Sequence, residues 1–499
     1  MLRRRILVIF QQIKQCAMEN NQANIQLEMN FSIPSGNRFR RCLENGLFMV
    51  LFEHTAPGLE LSDEEAARRF EKLEKTVLDY RDLPAALAIT DRCWSDSHRR
   101  AIDYAALMNE KNRNSHLFYL SGRGLNFSEA AGLTAEAAAC NLANLVVVSG
   151  GSRAGESARD LRNIDFTESV EMLRYIRQYP SNGLFYPGVT VNPHLYGAPA
   201  LYAQLAKLIK KFNMGAEFAV TQAGFDMAQL DALQLYLSRR GYHQGLIARL
   251  MLLTPERVEK ITAGALPGVN ISGDFLNILE KELRFSASQF EAAQYRRLEL
   301  QAAGCKLLGY SGIQIAGPDN PEKMQIALNR IAQALKEFTS LPQWLEEYKF
   351  YMARTDQAPA ERDFYLYEKL LSCDGDKESR ELAEVQLPAD TFRRRWGDRA
   401  RRFFFPEAEV QTSGERRGLK KLLAGCRDCG DCQLSQCQFH CPERCPKGLL
   451  NGPCGGARSD GKCEAGDFPC VHLDIWQTAY RRNECNLLED SWLSRRKDG

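Results

Sequence analysis

Between residues 45 and 320, short runs of consecutive apolar residues alternate with longer stretches in which apolar positions recur every three or four residues. The short runs lie at 47–53, 85–90, 116–121, 145–150, 188–192, 217–222, 245–251 and 312–317. They are apolar throughout instead of alternating, as expected of parallel strands covered on both faces. The segments 62–80, 198–212 and 222–240 read as amphipathic helices. Ser62 followed by Asp63, Glu64 and Glu65 suits a helix start, where acidic groups meet the positive end of the dipole. Eight β-then-α units predict an α/β fold, a (β/α)8 barrel of the TIM type. The competing open sheet would carry Gly-x-Gly-x-x-Gly after its first strand, and none stands there.

A barrel of this kind works at the C-terminal ends of its strands. Those positions hold Glu53-His54, Thr90-Asp91, Ser121, Ser149-Gly150-Gly151, Asn192-Pro193-His194 and Thr221-Gln222. Glu53 follows a wholly apolar run, so burial could raise its pKa and make it a proton donor; it could instead simply cap the next turn. Ser149 and Gly150 open a glycine-rich stretch whose backbone N–H groups could cradle a phosphate, although glycines in such loops are common for other reasons. His54 and His194 are as readily ordinary loop histidines.

At 499 residues the chain exceeds one usual domain. Its 44% hydrophobic and 26% charged content fits a globular protein, and a formal charge of +2 points to neither nucleic acid nor anionic membrane. No apolar run approaches the ~20 residues of a membrane span, and a cytoplasmic location is the expectation. Residues 1–30 begin basic then apolar, but the apolar part is shorter than the ~7–15 residues of a signal core. They are read as a disordered or over-extended start. The barrel is expected over 31–340 and a helical, solvated linker over 341–415, with helices at 343–352 and 361–371 and charge-rich stretches at 374–381 and 393–402. The segment Phe403-Phe404-Phe405-Pro406 could instead dock on the barrel. A small cysteine-rich module is expected over 416–485.

Of 16 cysteines, ten follow residue 425. Nine crowd between 426 and 470: Cys426, Cys429, Cys432, Cys437, Cys441, Cys445, Cys454, Cys463 and Cys470. Such local crowding points to metal ligation in a reducing compartment, not to a disulfide framework. Cys426-x2-Cys429-x2-Cys432 allows one short turn to present three thiolates to one face of an iron–sulfur cubane, with a further cysteine from elsewhere. Nine thiols could supply two four-cysteine [4Fe-4S] clusters with one to spare. Zinc is the alternative, with His440 or His472 joining cysteine pairs.

The barrel resembles the methylenetetrahydrofolate reductase family. Phe52-Glu53 resembles its Phe-Glu signature, which implies Glu53 as catalytic acid. Lys211, followed by Gly215-Ala216-Glu217-Phe218-Ala219-Val220-Thr221-Gln222, is similar to its sixth-strand motif. That likeness implies Gln222 on the pterin and Lys211 by the flavin phosphates. Ser115-His116-Leu117 and Thr90 resemble further flavin-facing positions. The family's Arg-Gly-Asp after strand four reads Ser149-Gly150-Gly151 here, its strand-five tyrosine reads Val191, and its strand-seven Pro-Gly reads Gln244-Gly245. From about 419 to 481 the blocks CRDCGDC, CPKGLLNGPCGG and DGKCE resemble the cysteine-rich module that accompanies bacterial members of that family. The resemblance implies a flavin (FAD or FMN), methylenetetrahydrofolate or a related pterin as substrate, and a ferredoxin or flavoprotein as redox partner. Electrons would pass from clusters to flavin. A flavin-free folate- or corrinoid-pathway binding protein, its module structural, is the alternative.

Overall fold

The computed structural model describes residues 36–91, 95–153, 155–180, 183–352, 364–367, 371, 380–387, 392–405, 417–429 and 432–494. The expectations for 1–30 lie outside these residues, as do most of those for 361–371 and 374–381. Eight parallel strands close into a barrel in sequence order: β1 (Met49–Thr55), β2 (Ala85–Thr90), β3 (Leu117–Ser121), β4 (Asn144–Val148), β5 (Tyr186–Val191), β6 (Phe218–Thr221), β7 (Gly245–Met251) and β8 (Gly312–Ala316). Each of the eight apolar runs yields one strand. The helix Asp63–Leu78 starts where its acidic turn predicts, with the Ser62 hydroxyl accepting from the Glu65 amide.

The two faces of each strand serve two different cores, because successive side chains point opposite ways. Met49, Leu51, Ala86, Ala88, Leu117, Tyr119, Val146, Tyr186, Phe218, Val220 and Ile247 fill the barrel interior. Phe39, Cys42 and Leu43 of the helix Arg38–Glu44 join this cluster and plug the N-terminal end. Tyr186 stacks on Phe218 at 5.3 Å between centroids. Gly188 admits that ring, since a Cβ there would collide with it. Ile89, Val147, Val189 and Ala219 face the outer helices instead. The same alternation carries the inward register upward to Glu53, Thr90, Ser121, Gln222, Arg249 and Gln314.

The region after the barrel differs in part from expectation. The helix Leu341–Tyr351 is no solvated linker: Trp344, Leu345 and Tyr348 are buried, and the Trp344 indole N–H donates to the Leu300 carbonyl at 2.7 Å. A Cβ on Gly304 would collide with the Trp344 ring, so the glycine lets this helix close on the barrel wall. The charge-rich stretch near 393–402 is helical, Phe392–Phe404. Phe405 is buried against Ala424, Leu434, Phe439 and Cys441, within the cysteine-rich part instead of on the barrel, and Phe403 is exposed.

The C-terminal module rests on the helix Ala198–Asn213, which receives the helices Val471–Arg481 and Cys485–Asp490. Trp476 lies flat on Tyr202, with centroids 5.3 Å apart and planes 8° from parallel. Stacking of this kind adds about 0.5–1.5 kcal/mol to the burial of two large apolar surfaces.

Candidate functional site

At the C-terminal end of the barrel a polar layer replaces the apolar interior. Glu53 on β1 receives two hydrogen bonds from Arg249 on β7, Nε to Oε2 and Nη2 to Oε1, each 2.7 Å. Arg249 Nη1 donates to Gln222 Oε1 at 2.9 Å, and Gln222 Nε2 donates to the Pro267 carbonyl at 3.0 Å. Gln314 on β8 donates to Glu53 Oε2 at 3.0 Å and accepts from the Tyr119 hydroxyl of β3 at 2.7 Å. Burial by itself would raise the Glu53 carboxyl. The Arg249 guanidinium and the Gln314 amide outweigh it and hold the group below its ordinary value.

Thr90 is also in this layer, donating to the Thr55 hydroxyl at 3.1 Å. Ser149 and Gly150 follow β4. The Ser149 hydroxyl accepts from the Ser169 amide at 3.0 Å, and Gly150, at φ +86°, offers its carbonyl to Lys447 of the module at 2.9 Å. Lys211 is buried behind β5, donating to the Thr190 carbonyl at 2.7 Å, and desolvation lowers its pKa to about 7. His116 does not reach the mouth. It precedes β3, at the opposite end of the barrel, fully buried. Its Nδ1 accepts from the Leu87 amide at 3.1 Å and its Nε2 bonds Glu74 at 2.9 Å, so both ring nitrogens are committed to structure. His194 is buried at the end of β5, where desolvation depresses it to about 4.

Three residues of the polar layer escaped the sequence reading: Arg249, Gln314 and Tyr119. Arg249 left a signal, as the one charge inside the apolar run GLIARLM. Gln314 and Tyr119 left none, because a single polar residue in a buried strand is unremarked until its partner across the barrel is known.

The module lies against this same end. The Asn192 amide donates to the Gly455 carbonyl at 2.9 Å, the Tyr196 N–H to the Ser459 hydroxyl at 3.2 Å, and Gln204 to the Cys454 carbonyl. Gly268 takes a positive φ directly beside the Gly455 carbonyl, Asn192 and Gln222. Lys447 forms a buried ion pair with Glu464. Glu168 is buried deeper in the interface. It accepts from the amides of Leu450 at 3.1 Å and Asn451 at 3.2 Å, from the Asn451 side chain at 2.6 Å and from Lys207 at 3.2 Å.

The nine crowded cysteines are free thiols and fall into two neighbourhoods. Cys441 interacts electrostatically with Cys426 and Cys429, and Cys437 with Cys441 and Cys432. Cys470 interacts with Cys454, Cys445 and Cys463. The second set is drawn together by the backbone: the Cys463 amide donates to the Phe468 carbonyl and the Cys470 amide to that of Gly461. Burial raises the thiols, Cys437 to about 12 and Cys441, Cys454 and Cys463 to about 11. Among the described residues no three His, Cys, Asp or Glu side chains converge as a formed metal site. In number and kind the donors suit a thiolate-bound metal, with five in one neighbourhood and four in the other. His440 is bonded to Thr478 at 3.0 Å, and His472 is buried with its pKa depressed to about 3 by desolvation.

Fold and site thus define a parallel α/β barrel whose polar mouth is walled on one side by a cysteine-rich domain. Residues 38–284 match the family model described as methylenetetrahydrofolate reductase, and residues 405–497 the one described as methylene-tetrahydrofolate reductase C terminal. The barrel is accordingly a domain of the methylenetetrahydrofolate reductase family, and the cysteine-rich part is the C-terminal domain associated with it. Curated proteins gave no match. Among solved structures the chain is similar to an uncharacterized protein from Clostridium thermocellum that binds two copies of 5-methyl-5,6,7,8-tetrahydrofolic acid. That likeness has 12% identity and a TM-score of 0.42, over 60% of this chain and 99% of that one. Tryptophan synthase of Mycobacterium tuberculosis is similar at 8% identity and a TM-score of 0.33, over 59% of this chain and 95% of that one. Likenesses at these values say nothing of ligand or reaction. No helix among the described residues is long and apolar enough to cross a membrane.

Proposed function

We propose that this protein is a flavin-dependent, methylenetetrahydrofolate reductase-like oxidoreductase of one-carbon metabolism, fed with electrons through iron–sulfur clusters held by its C-terminal thiols. The observation that carries the reading is the contact of the Gly455 carbonyl with Asn192 and Gly268, and of the Cys454 carbonyl with Gln204, at the mouth of a barrel of this family. A thiol neighbourhood seated there is well placed to serve the barrel. A bound flavin would gather electrons singly and pass them on in pairs.

In this reading Gln222 holds the pterin and Glu53 faces its reacting nitrogens. Thr90, Ser149 and Gly150 border the flavin. Lys211 fixes the end of β5 through the Thr190 carbonyl and lies by the flavin phosphates. His116 contributes by bracing β2 and the helix Asp63–Leu78. The four-thiol set of Cys445, Cys454, Cys463 and Cys470 is the one beside the mouth. The five-thiol set of Cys426, Cys429, Cys432, Cys437 and Cys441 is suited to meet a ferredoxin or flavoprotein donor.

A second reading, a flavin-free folate- or corrinoid-pathway binding protein with a structural zinc or cluster module, draws on one observation. Glu53 is held ionised by Arg249, which suits a hydrogen-bond acceptor better than an acid. The two readings separate in a single-turnover assay. Anaerobically purified protein, reduced with a low-potential donor and mixed with methylenetetrahydrofolate, is expected to yield methyltetrahydrofolate. Protein that carries flavin and iron, binds the folate and yields none would sink the first reading.

A further inference from the structure

The helix Phe392–Phe404 carries large aromatic side chains on its outer face. Phe392, Trp396, Arg399 and Phe403 are spaced by four, three and four residues, which sets them on one side of the helix. That side is turned to solvent: Phe392 is 73% exposed, Trp396 60% and Phe403 79%, and Arg399 is exposed between them. The opposite side is anchored. Arg401 pairs with Asp398 and donates to the Leu423 carbonyl at 3.2 Å, tying this helix to the helix Arg417–Ala424. The second helix adds Leu422, 79% exposed, and exposed Lys421 beside it. Exposed aromatic and aliphatic side chains interleaved with arginine mark a protein–protein contact.

Charge says what the partner carries. Residues 392–404 and 417–429 hold ten lysines and arginines against two aspartates, in a chain whose formal charge is +2. The rest of the chain is therefore net negative, and positive charge is gathered here. Glu484 answers Arg402 at 3.4 Å. Burial and then Arg402 press the Arg482 guanidinium below its ordinary value, so cations crowd one another at this end. An acidic surface relieves that crowding, whereas a second copy of this chain presenting the same face adds to it.

The patch adjoins the thiols. The helix Arg417–Ala424 runs into Cys426, whose amide donates to the Lys420 carbonyl at 3.2 Å. Cys432 and Cys441 pack in the same apolar cluster as Leu419, Leu423 and Phe405. Of the nine crowded cysteines Cys429 alone is exposed, with exposed Arg427 two residues before it. An anionic membrane would meet the arginines and aromatics as well, but it gives no reason for a thiol exposed at their rim.

We propose that the face formed by Phe392, Trp396, Arg399, Phe403, Lys421 and Leu422 docks a small acidic electron-carrier protein of the ferredoxin class over Cys429. The inference rests on the reading of the five-thiol set as a metal centre. The carrier loses one electron and the module gains it, with no bond made or broken. Encounters of this kind bury less than about 1,200 Å², so charge governs their rate and a few aromatic anchors their grip.

The test is binding of an acidic two-cluster ferredoxin to the anaerobically purified full-length protein, followed by biolayer interferometry over a range of salt. The wild-type chain is expected to bind with an association rate that falls as salt rises. The charge reversal Arg399→Glu with Lys421→Glu is expected to slow association about tenfold or more at low salt and to flatten the salt dependence. Trp396→Ala is expected to weaken affinity about tenfold, mainly through faster dissociation. Arg284→Glu, at an exposed position on the barrel helix Gly273–Phe285, is the control expected to bind as wild type does. Dithionite separates two kinds of failure. Where it bleaches iron–sulfur absorbance, yet ferredoxin binds all four proteins equally or does not bind the wild type, the docking face is overturned and the metal reading stands. Where no such absorbance exists to be bleached, the metal reading on which the inference rests is overturned. Binding to phosphatidylglycerol vesicles, or self-association, that is lost in the charge reversal while ferredoxin does not bind assigns the face to a membrane or a second copy and overturns the proposal.

Discussion

Glu168→Ala is expected to cost about 3–5 kcal/mol of stability, the range for breaking a buried ion pair by removing one partner. The carboxylate serves two parts of the chain at once. It pairs with Lys207 of the barrel helix Ala198–Asn213, and it accepts from two consecutive amides and a side chain at Leu450 and Asn451 of the module. Removing it leaves a buried ammonium unpaired and strips those donors of their acceptor. The loss should show as a lower denaturation midpoint, with protease cleavage opening first between barrel and module. Glu168→Gln keeps some of the hydrogen bonds and should lose less. The pH dependence has a definite sign. Burial pushes the Glu168 carboxyl up, but Lys207 and Asn451 outweigh it, so its folded pKa lies below the ordinary value. Its stabilising contribution is then present above the unfolded pKa of about 4.3 and disappears as pH falls through the lower folded value. A change under 1 kcal/mol on alanine substitution would mean the interface does not depend on this carboxylate.

Cys454→Ser is expected to remove about four irons, half of the total, while leaving the barrel folded. Cys454 belongs to the set with Cys445, Cys463 and Cys470, which has four thiols and therefore none to spare. The other set has five, Cys426, Cys429, Cys432, Cys437 and Cys441, of which a cubane needs four. Serine substitution at one of those five is expected to leave the iron content intact, and at the other four to remove about half. Iron and acid-labile sulfide, measured with the electron paramagnetic resonance spectrum of the reduced protein, check this directly. Loss of all the metal from every single variant would show one interdependent site in place of two.

The fold was largely legible because buried parallel strands leave an unbroken apolar run, and eight such runs admit few arrangements. The edges were less so. The first apolar run ends at Glu53, yet β1 continues through His54 and Thr55, because polar side chains at a mouth are tolerated within a strand. Strand ends alone place Glu53, Thr90 and Gln222 at the mouth, where the structure has them. His116, just before β3, stands by its position at the end opposite the mouth. Trp344 marks another limit. An amphipathic helix after the last strand reads the same whether it is a linker or a piece of the barrel wall, and only the glycine opposite, Gly304, distinguishes them. Glu168 was invisible in sequence because its partners at Leu450 and Asn451 lie far along the chain. The crowding of cysteines was obvious; their division into four and five depends on how the loops fold.

On the proposed reading, a flavin-bearing barrel and a cluster-bearing module work as one enzyme. The most direct test is an anaerobic purification in which iron, zinc, sulfide and flavin are quantified on the same sample as its absorbance spectrum. About eight irons with matching sulfide and one flavin per chain are expected, the flavin bleaching together with the cluster absorbance on addition of reduced ferredoxin. Stoichiometric zinc, with neither iron nor flavin, would contradict it.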